Sequence, residues 1–104
     1  MTGTDPDAAE LPFALLLKGN YPNPFNRVTN IVFDLPEAAD VSFQVFDVLG
    51  RIVKSVEMGF GGAGRDNVMQ FDGSRLASGT YFYVITARSG RRIRRRSGSM
   101  LLMK

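Results

Sequence analysis

Five arginines within six residues, Arg91, Arg92, Arg94, Arg95 and Arg96, form the densest group of chemically active side chains in the chain. Laid along a duplex they could neutralise about five phosphates, for a salt slope near −4.5. The run holds no aromatic or amide side chain to read a base, so no specific nucleic-acid partner is expected. Two roles fit it better. It is either the charged edge of a sheet, where like charges block sheet-to-sheet association, or a contact for an anionic surface on a partner protein or on lipid phosphates.

Other patterns are weaker. Gly59, Gly61 and Gly64 match the dinucleotide spacing G-x-G-x-x-G, but that chemistry needs a helix N-terminus immediately afterwards to receive the pyrophosphate. The residues after Gly64 read as a strand, which makes the glycines a hairpin loop. Asp34, Asp40, Asp47, Asp66 and Asp72 fall mostly at strand ends, where Asp forms turns, and none has the spacing of a dedicated calcium loop. Cysteine and histidine are both absent. Disulfides, thiolate nucleophiles, imidazole bases and nearly all zinc or haem ligation are thereby excluded. No catalytic residue, metal or cofactor is expected, and the chain does not read as an enzyme.

The elements that must carry these groups are short. With 104 residues, 44% hydrophobic and 22% charged, the chain has the length and composition of one globular domain with one core. No apolar run approaches the roughly 20 residues that span a bilayer. Residues 1–12 are polar, acidic and aperiodic, unlike a secretory signal peptide, and read as a linker arm ahead of a domain over 13–104. The net charge of +3 is unevenly placed. Arg88, the five arginines and Lys104 contribute seven positive charges with no acid between them, and removing these from the total leaves −4 on the first 87 residues.

Strand periodicity runs throughout. Phe13–Lys18 reads as a first strand. Gly19–Asn26 follows as a stiff latch, because Pro22 and Pro24 remove two donors and push Tyr21 and Asn23 toward extended geometry. At least one of its aromatic residues, Tyr21 or Phe25, is expected to fold onto a core. In Val28–Leu35, Ile31, Phe33 and Leu35 share one face, with Asn30 and Asp34 on the other. Val41–Val48 alternates in the same way, turns at Asp47–Arg51, and returns through Arg51–Met58 with Ile52, Val56 and Met58 on one side. Lys54 interrupts that return strand and marks it as an edge. After a loop over 59–64, Asp66–Asp72 carries Val68 and Phe71 into another strand. Gly73–Gly79 is a second loop. Thr80–Arg88, apolar on both faces, reads as a central strand. Tyr81 or Tyr83 is placed to cap the backbone at its corner. Arg91–Lys104 forms a last strand ending in the apolar run Met100–Met103. About seven short strands with no helical period predict an all-β, immunoglobulin-like antiparallel β-sandwich.

Taken in order, Tyr21-Pro22-Asn23-Pro24-Phe25-Asn26, Ile31–Pro36, Val45-Phe46-Asp47-Val48-Leu49-Gly50-Arg51, Leu76-Ala77-Ser78-Gly79-Thr80-Tyr81-Phe82-Tyr83 and the closing Met-Leu-Leu-Met-Lys resemble a known family. It is the type A C-terminal sorting domain of the type IX secretion system, itself similar to the immunoglobulin-like domain of the flagellar hook-capping protein. The resemblance extends over about residues 13–104. It departs at Arg27-Val28, where the family usually has Pro-Thr, and at the arginine run with Ser97-Gly98-Ser99, where the family carries modest charge.

The resemblance implies a domain that follows a passenger protein in Bacteroidetes-type Gram-negative bacteria, exported through the periplasm to the cell surface or the medium. Its partners would be the outer-membrane secretion machinery, a sortase that cuts ahead of the domain, and the covalently linked passenger, which is joined to anionic lipopolysaccharide or released. The sorting signal would lie in Met100, Leu101, Leu102, Met103 and Lys104, held in register by Gly79, Tyr81 and Tyr83. An adhesive or assembly module of an extracellular protein is the alternative that the same fold allows.

Overall fold

The computed structural model describes residues 15–104. The linker arm at 1–12 and the beginning of the strand expected at Phe13–Lys18 lie outside the described residues. Seven strands follow one another: β1 Leu16–Tyr21, β2 Val28–Leu35, β3 Ala39–Phe46, β4 Ile52–Gly61, β5 Gly64–Asp72, β6 Gly79–Ser89 and β7 Arg92–Leu102. They form two antiparallel sheets, one ordered β1-β2-β5 and the other β4-β3-β6-β7. The expected all-β, immunoglobulin-like sandwich is the fold.

The core follows from the period-two pattern. Ile31, Phe33 and Leu35 of β2, Val41, Phe43 and Val45 of β3, and Tyr81, Tyr83, Ile85 and Ala87 of β6 point into the space between the sheets and are buried. Phe33 and Phe43 meet edge to face, with ring centroids 5.6 Å apart. Each fully buried side chain of this size contributes about 1.5–3 kcal/mol. As expected, β6 is a central strand, between β3 and β7, and β4 is an edge. The β3–β4 turn is held by Asp47, whose Oδ1 accepts the N–H groups of Leu49 (2.9 Å) and Arg51 (3.0 Å). Its Oδ2 takes the Arg51 guanidinium at 2.8 Å.

Five expectations need correction. β1 runs on through Gly19 and Tyr21, so the latch proper begins at Pro22; the bulge between Leu17 and Gly19, with Gly19 at φ 111°, lets the strand continue through the glycine. In β4, Ile52 and Met58 are exposed, whereas Val53 and Val56 pack on the core. Register shifts opposite Val45/Phe46 and Val41/Ser42 change the phase of β4 at both ends. The loop expected over 59–64 shrinks to Gly62-Ala63, because β4 and β5 extend into it. In β5, Val68 faces outward and Met69 joins Phe71 in the core. Finally, Asp34 is buried instead of lying on an outer face.

The burial of Asp34 is compensated. Its Oδ1 accepts the Asp66 N–H at 2.9 Å and lies 3.4 Å from Lys18 Nζ. Lys18 also bonds Asp66 Oδ1 at 2.6 Å. The Asp66 amide, and behind it the Lys18 ammonium, hold the Asp34 carboxyl below the usual carboxylate range against the opposing effect of burial.

Candidate functional site

β7 is an edge strand, paired along its whole length with β6 from Ser89↔Arg92 to Gly79↔Leu102. On its inner face Met100 (2% exposed) and Leu102 (0%) fill the end of the core, opposite Tyr81 and Gly79. Leu101 (38%) and Met103 (56%) remain accessible, and Lys104 is exposed. The five residues expected to carry the sorting signal therefore divide into two anchors and three presented groups.

The other side of this tip is held by the latch. Phe25 forms a parallel bridge with Leu102: the Phe25 N–H donates to Leu101 O (2.9 Å) and the Met103 N–H donates to Phe25 O (2.8 Å). Asn23 Oδ1 accepts the Leu101 N–H (3.1 Å), and Asn26 Nδ2 donates to Met103 O (3.3 Å). The Lys104 N–H donates to Ser78 Oγ (3.0 Å), and its ammonium reaches Ser74 O. The stretch 100–104 thus lies between two backbones, β6 on one side and the latch on the other.

Local chemistry shapes the latch for this task. The Tyr21–Pro22 and Asn23–Pro24 bonds are both cis. Thr29 Oγ1 donates to Pro22 O at 2.8 Å and accepts from Asn20 Nδ2 at 3.2 Å, and both polar side chains are buried inside this small network. Phe25 (1% exposed) stacks edge-on against Phe71, whereas Tyr21 (59%) stays outside and donates its hydroxyl to Lys18 O. Gly73 passes so close that a Cβ there would sit 3.2 Å from Phe25 and 3.3 Å from Leu102.

Gly79, Tyr81 and Tyr83 all lie on β6 beside this tip. Gly79 has φ 152° at the strand entry. Tyr81 makes the corner contact, its hydroxyl donating to Ala77 O at 2.6 Å. Tyr83 is buried above Gly98, and that burial, with a smaller effect of nearby Tyr21, pushes its hydroxyl pKa up.

Alternation along β7 divides the arginine run. Arg92, Arg94 and Arg96 pair with the core-facing residues Ser89, Ala87 and Ile85 of β6, whereas Arg95 pairs with outward Thr86. Glu37 serves Arg92 and Arg94: its carboxylate takes the Ser89 hydroxyl (2.9 Å) and Arg92 Nη1 (3.4 Å), with Arg94 Nη2 at 3.9 Å. Arg91 precedes the strand, beside Gly90 in the β6–β7 turn. On the outer face, Arg95 and Arg88 line a polar groove with Asp40 and Glu57. No cluster of carboxylates able to hold a metal occurs among the described residues.

Reading the strands one by one shows which residues are apolar but not what lies beside them. Asn23, Phe25, Asn26, Ser74 and Ser78, all of which hold the last five residues, are therefore not evident as site residues from the sequence. For Asn23, Phe25 and Asn26 the signal is the unusual Pro-Asn-Pro-Phe-Asn motif itself, and for Ser78 its place in Leu76–Tyr83; Ser74 has none.

Comparison with known proteins agrees with this architecture. No curated protein sequence matches the chain. Among solved structures, a chain of dimeric latent PorU from Porphyromonas gingivalis superposes with a TM-score of 0.67 at 17% identity, over 85% of this chain but only 9% of its own length. CopC from Methylosinus trichosporium OB3b superposes with a TM-score of 0.55 at 16% identity, over 86% of this chain and 93% of its own. At such identities these likenesses show the fold alone. The model of one family, described as the secretion system C-terminal sorting domain, matches residues 20–96, from the end of β1 to the end of the arginine run. The chain belongs to that family, and its role is that of a C-terminal sorting signal for type IX secretion.

Proposed function

We propose that the signal is read at the latched tip of β7, through Leu101, Met103 and Lys104, with Met100 and Leu102 as anchors and Gly79, Tyr81 and Tyr83 keeping the strand in register. One observation carries this reading: main-chain bonds from both β6 and Phe25 hold the tip, so its outward side chains are presented in a fixed geometry. Preorganised groups lose little entropy when a partner docks. The partner is the outer-membrane secretion machinery, which would recognise the tip while a covalently linked passenger precedes the domain. The domain contributes an address and no catalytic step, and any cleavage ahead of it is made by a separate sortase.

The test is export of a reporter fused between a signal peptide and this domain in a host with a type IX system. Leu101→Asp and Met103→Asp alter exposed positions, so the domain should still fold while surface delivery drops at least tenfold. Deleting residues 100–104 should abolish delivery. Full delivery by the folded double variant would refute the reading.

A further inference from the structure

The latch covers only part of the free side of β7. Leu101, whose N–H and C=O are taken by Asn23 and Phe25, faces outward from the sheet. The two-residue period turns the main-chain groups of Ser99, Ser97 and Arg95 the same way. Arg95 O is closed off by the Arg96 guanidinium, which donates to it at 2.7 Å. The outward N–H and C=O groups of Ser97 and Ser99 are left with no strand partner among the described residues. Edge strands are commonly protected by bulky charges, bulges or proline. Here the sequence is Ser-Gly-Ser, the least obstructed stretch of β7.

Beside this gap the mouth between the two sheets opens. A cleft of about 450 Å³ lies there, with Leu17, Lys18 and Asn20 on one rim, Ser97 and Ser99 on the other, and the Tyr83 ring reaching into it over Gly98. Arg94, Arg95 and Arg96 precede the gap on β7, and Lys18 stands on the opposite rim. Lys18 is already met by Asp34 and Asp66, and Arg94 by Glu37, which leaves Arg95 and Arg96 as the cations beside the gap with no ion pair among the described residues.

We infer that Ser97–Ser99 accepts an extended acidic segment of a partner protein by strand addition. This surface is separate from the tip of β7. Main-chain bonds to Ser97 and Ser99 would continue the pairing that Phe25 begins. One side chain of the incoming strand would enter the Tyr83 cleft, and its flanking acids would meet Arg95 and Arg96. Charge complementarity selects this occupant. An antiparallel second copy centred on Gly98 would set Arg95 opposite Leu101, whose outward main-chain groups Asn23 and Phe25 already occupy, and a parallel one in register would set arginine opposite arginine, which is destabilising.

The test uses the isotope-labelled 104-residue chain and the six-residue peptide acetyl-EVEYEV-amide, followed by amide chemical shifts. Saturable shifts at Ser97 and Ser99 are expected. Binding should weaken at least tenfold for the backbone N-methylated peptide and for the lysine analogue acetyl-KVKYKV-amide. Ser97→Pro should have a similar effect, since it removes an outward donor without touching the β6 ladder. Arg95→Glu should weaken binding several-fold. Absence of shifts at Ser97 and Ser99 at millimolar peptide overturns the inference, and so does binding of the N-methylated peptide within twofold of its parent. Concentration-dependent shifts at the same amides without peptide would assign the edge to a second copy and overturn it equally.

Discussion

Tyr83 and Gly98 share one space: a Cβ on Gly98 would lie 2.7 Å from both Cζ and Oη of the tyrosine. The ring can cover the inner side of β7 only because position 98 has no side chain. Gly98→Ala should therefore force the Tyr83 ring outward and destabilise the domain by about 1–3 kcal/mol, the usual range for overpacking. Urea denaturation measures this, and Tyr83→Phe in the alanine background should restore part of the loss by removing one of the two close atoms.

Phe25 and Tyr21, both aromatic and four residues apart, should respond very differently to truncation. Phe25→Ala empties a fully buried site against Phe71 and loosens the bridge to Leu102, for a loss of about 3–5 kcal/mol. Tyr21→Ala removes a largely exposed ring with one hydrogen bond, so about 1 kcal/mol is expected. Comparing the two denaturation midpoints tests whether Phe25 is the anchor of the latch.

Adjacent residues at the tip should separate stability from recognition. Leu102→Ala should cost about 2–5 kcal/mol, as for other buried leucines. Leu101→Ala should change stability far less and act mainly on export. Thermal melts paired with reporter delivery would show the dissociation.

The corner contact of Tyr81 should be worth about 1 kcal/mol. Tyr81→Phe removes the donor to Ala77 O while keeping the ring in place. A loss of this size in chemical denaturation, with the sheet signal in circular dichroism unchanged, is the expected result.

Acid should destabilise the domain in a defined way. Asp34, Asp47 and Asp72 are all held below the usual carboxylate range: Asp34 chiefly by the Asp66 N–H, Asp47 by the Arg51 N–H and Asp72 by the Ser74 hydroxyl. A carboxylate whose pKa is lower folded than unfolded stabilises the fold above the unfolded value, and this contribution disappears as the pH falls through the folded value. Stability should thus hold level above about pH 5 and decline below about pH 4. Asp34→Asn should flatten that decline in a pH series of urea midpoints.

Where local chemistry decided the structure, the sequence was legible. The Val28–Leu35 strand, the Asp47 turn and the central place of β6 all follow from alternation and turn residues within a few positions of one another. Errors arose where pairing shifted phase. The bulges opposite β3 expose Ile52 and Met58 and bring Val53 inward, and no period-two reading of β4 alone contains that information. Asp34 likewise reads as a surface residue until Lys18 and the Asp66 amide are brought beside it from distant strands. The site was half legible. Its last strand could be named from apolar content, but the contact between Phe25 and Leu102, 77 positions apart, is a property of the closed sandwich.

That parallel bridge also sets how the domain bears load. A pull applied at the N-terminal end of β1 would reach the latch from its N-terminal end, while restraint at Lys104 would act from the C-terminal end of the tip. In a parallel pair these forces run along the strands in opposite directions. The bonds among Asn23, Phe25, Leu101 and Met103 are therefore strained together, in shear, and do not open one after another like a zip. Under such a load the latch would act as a clamp on the last strand.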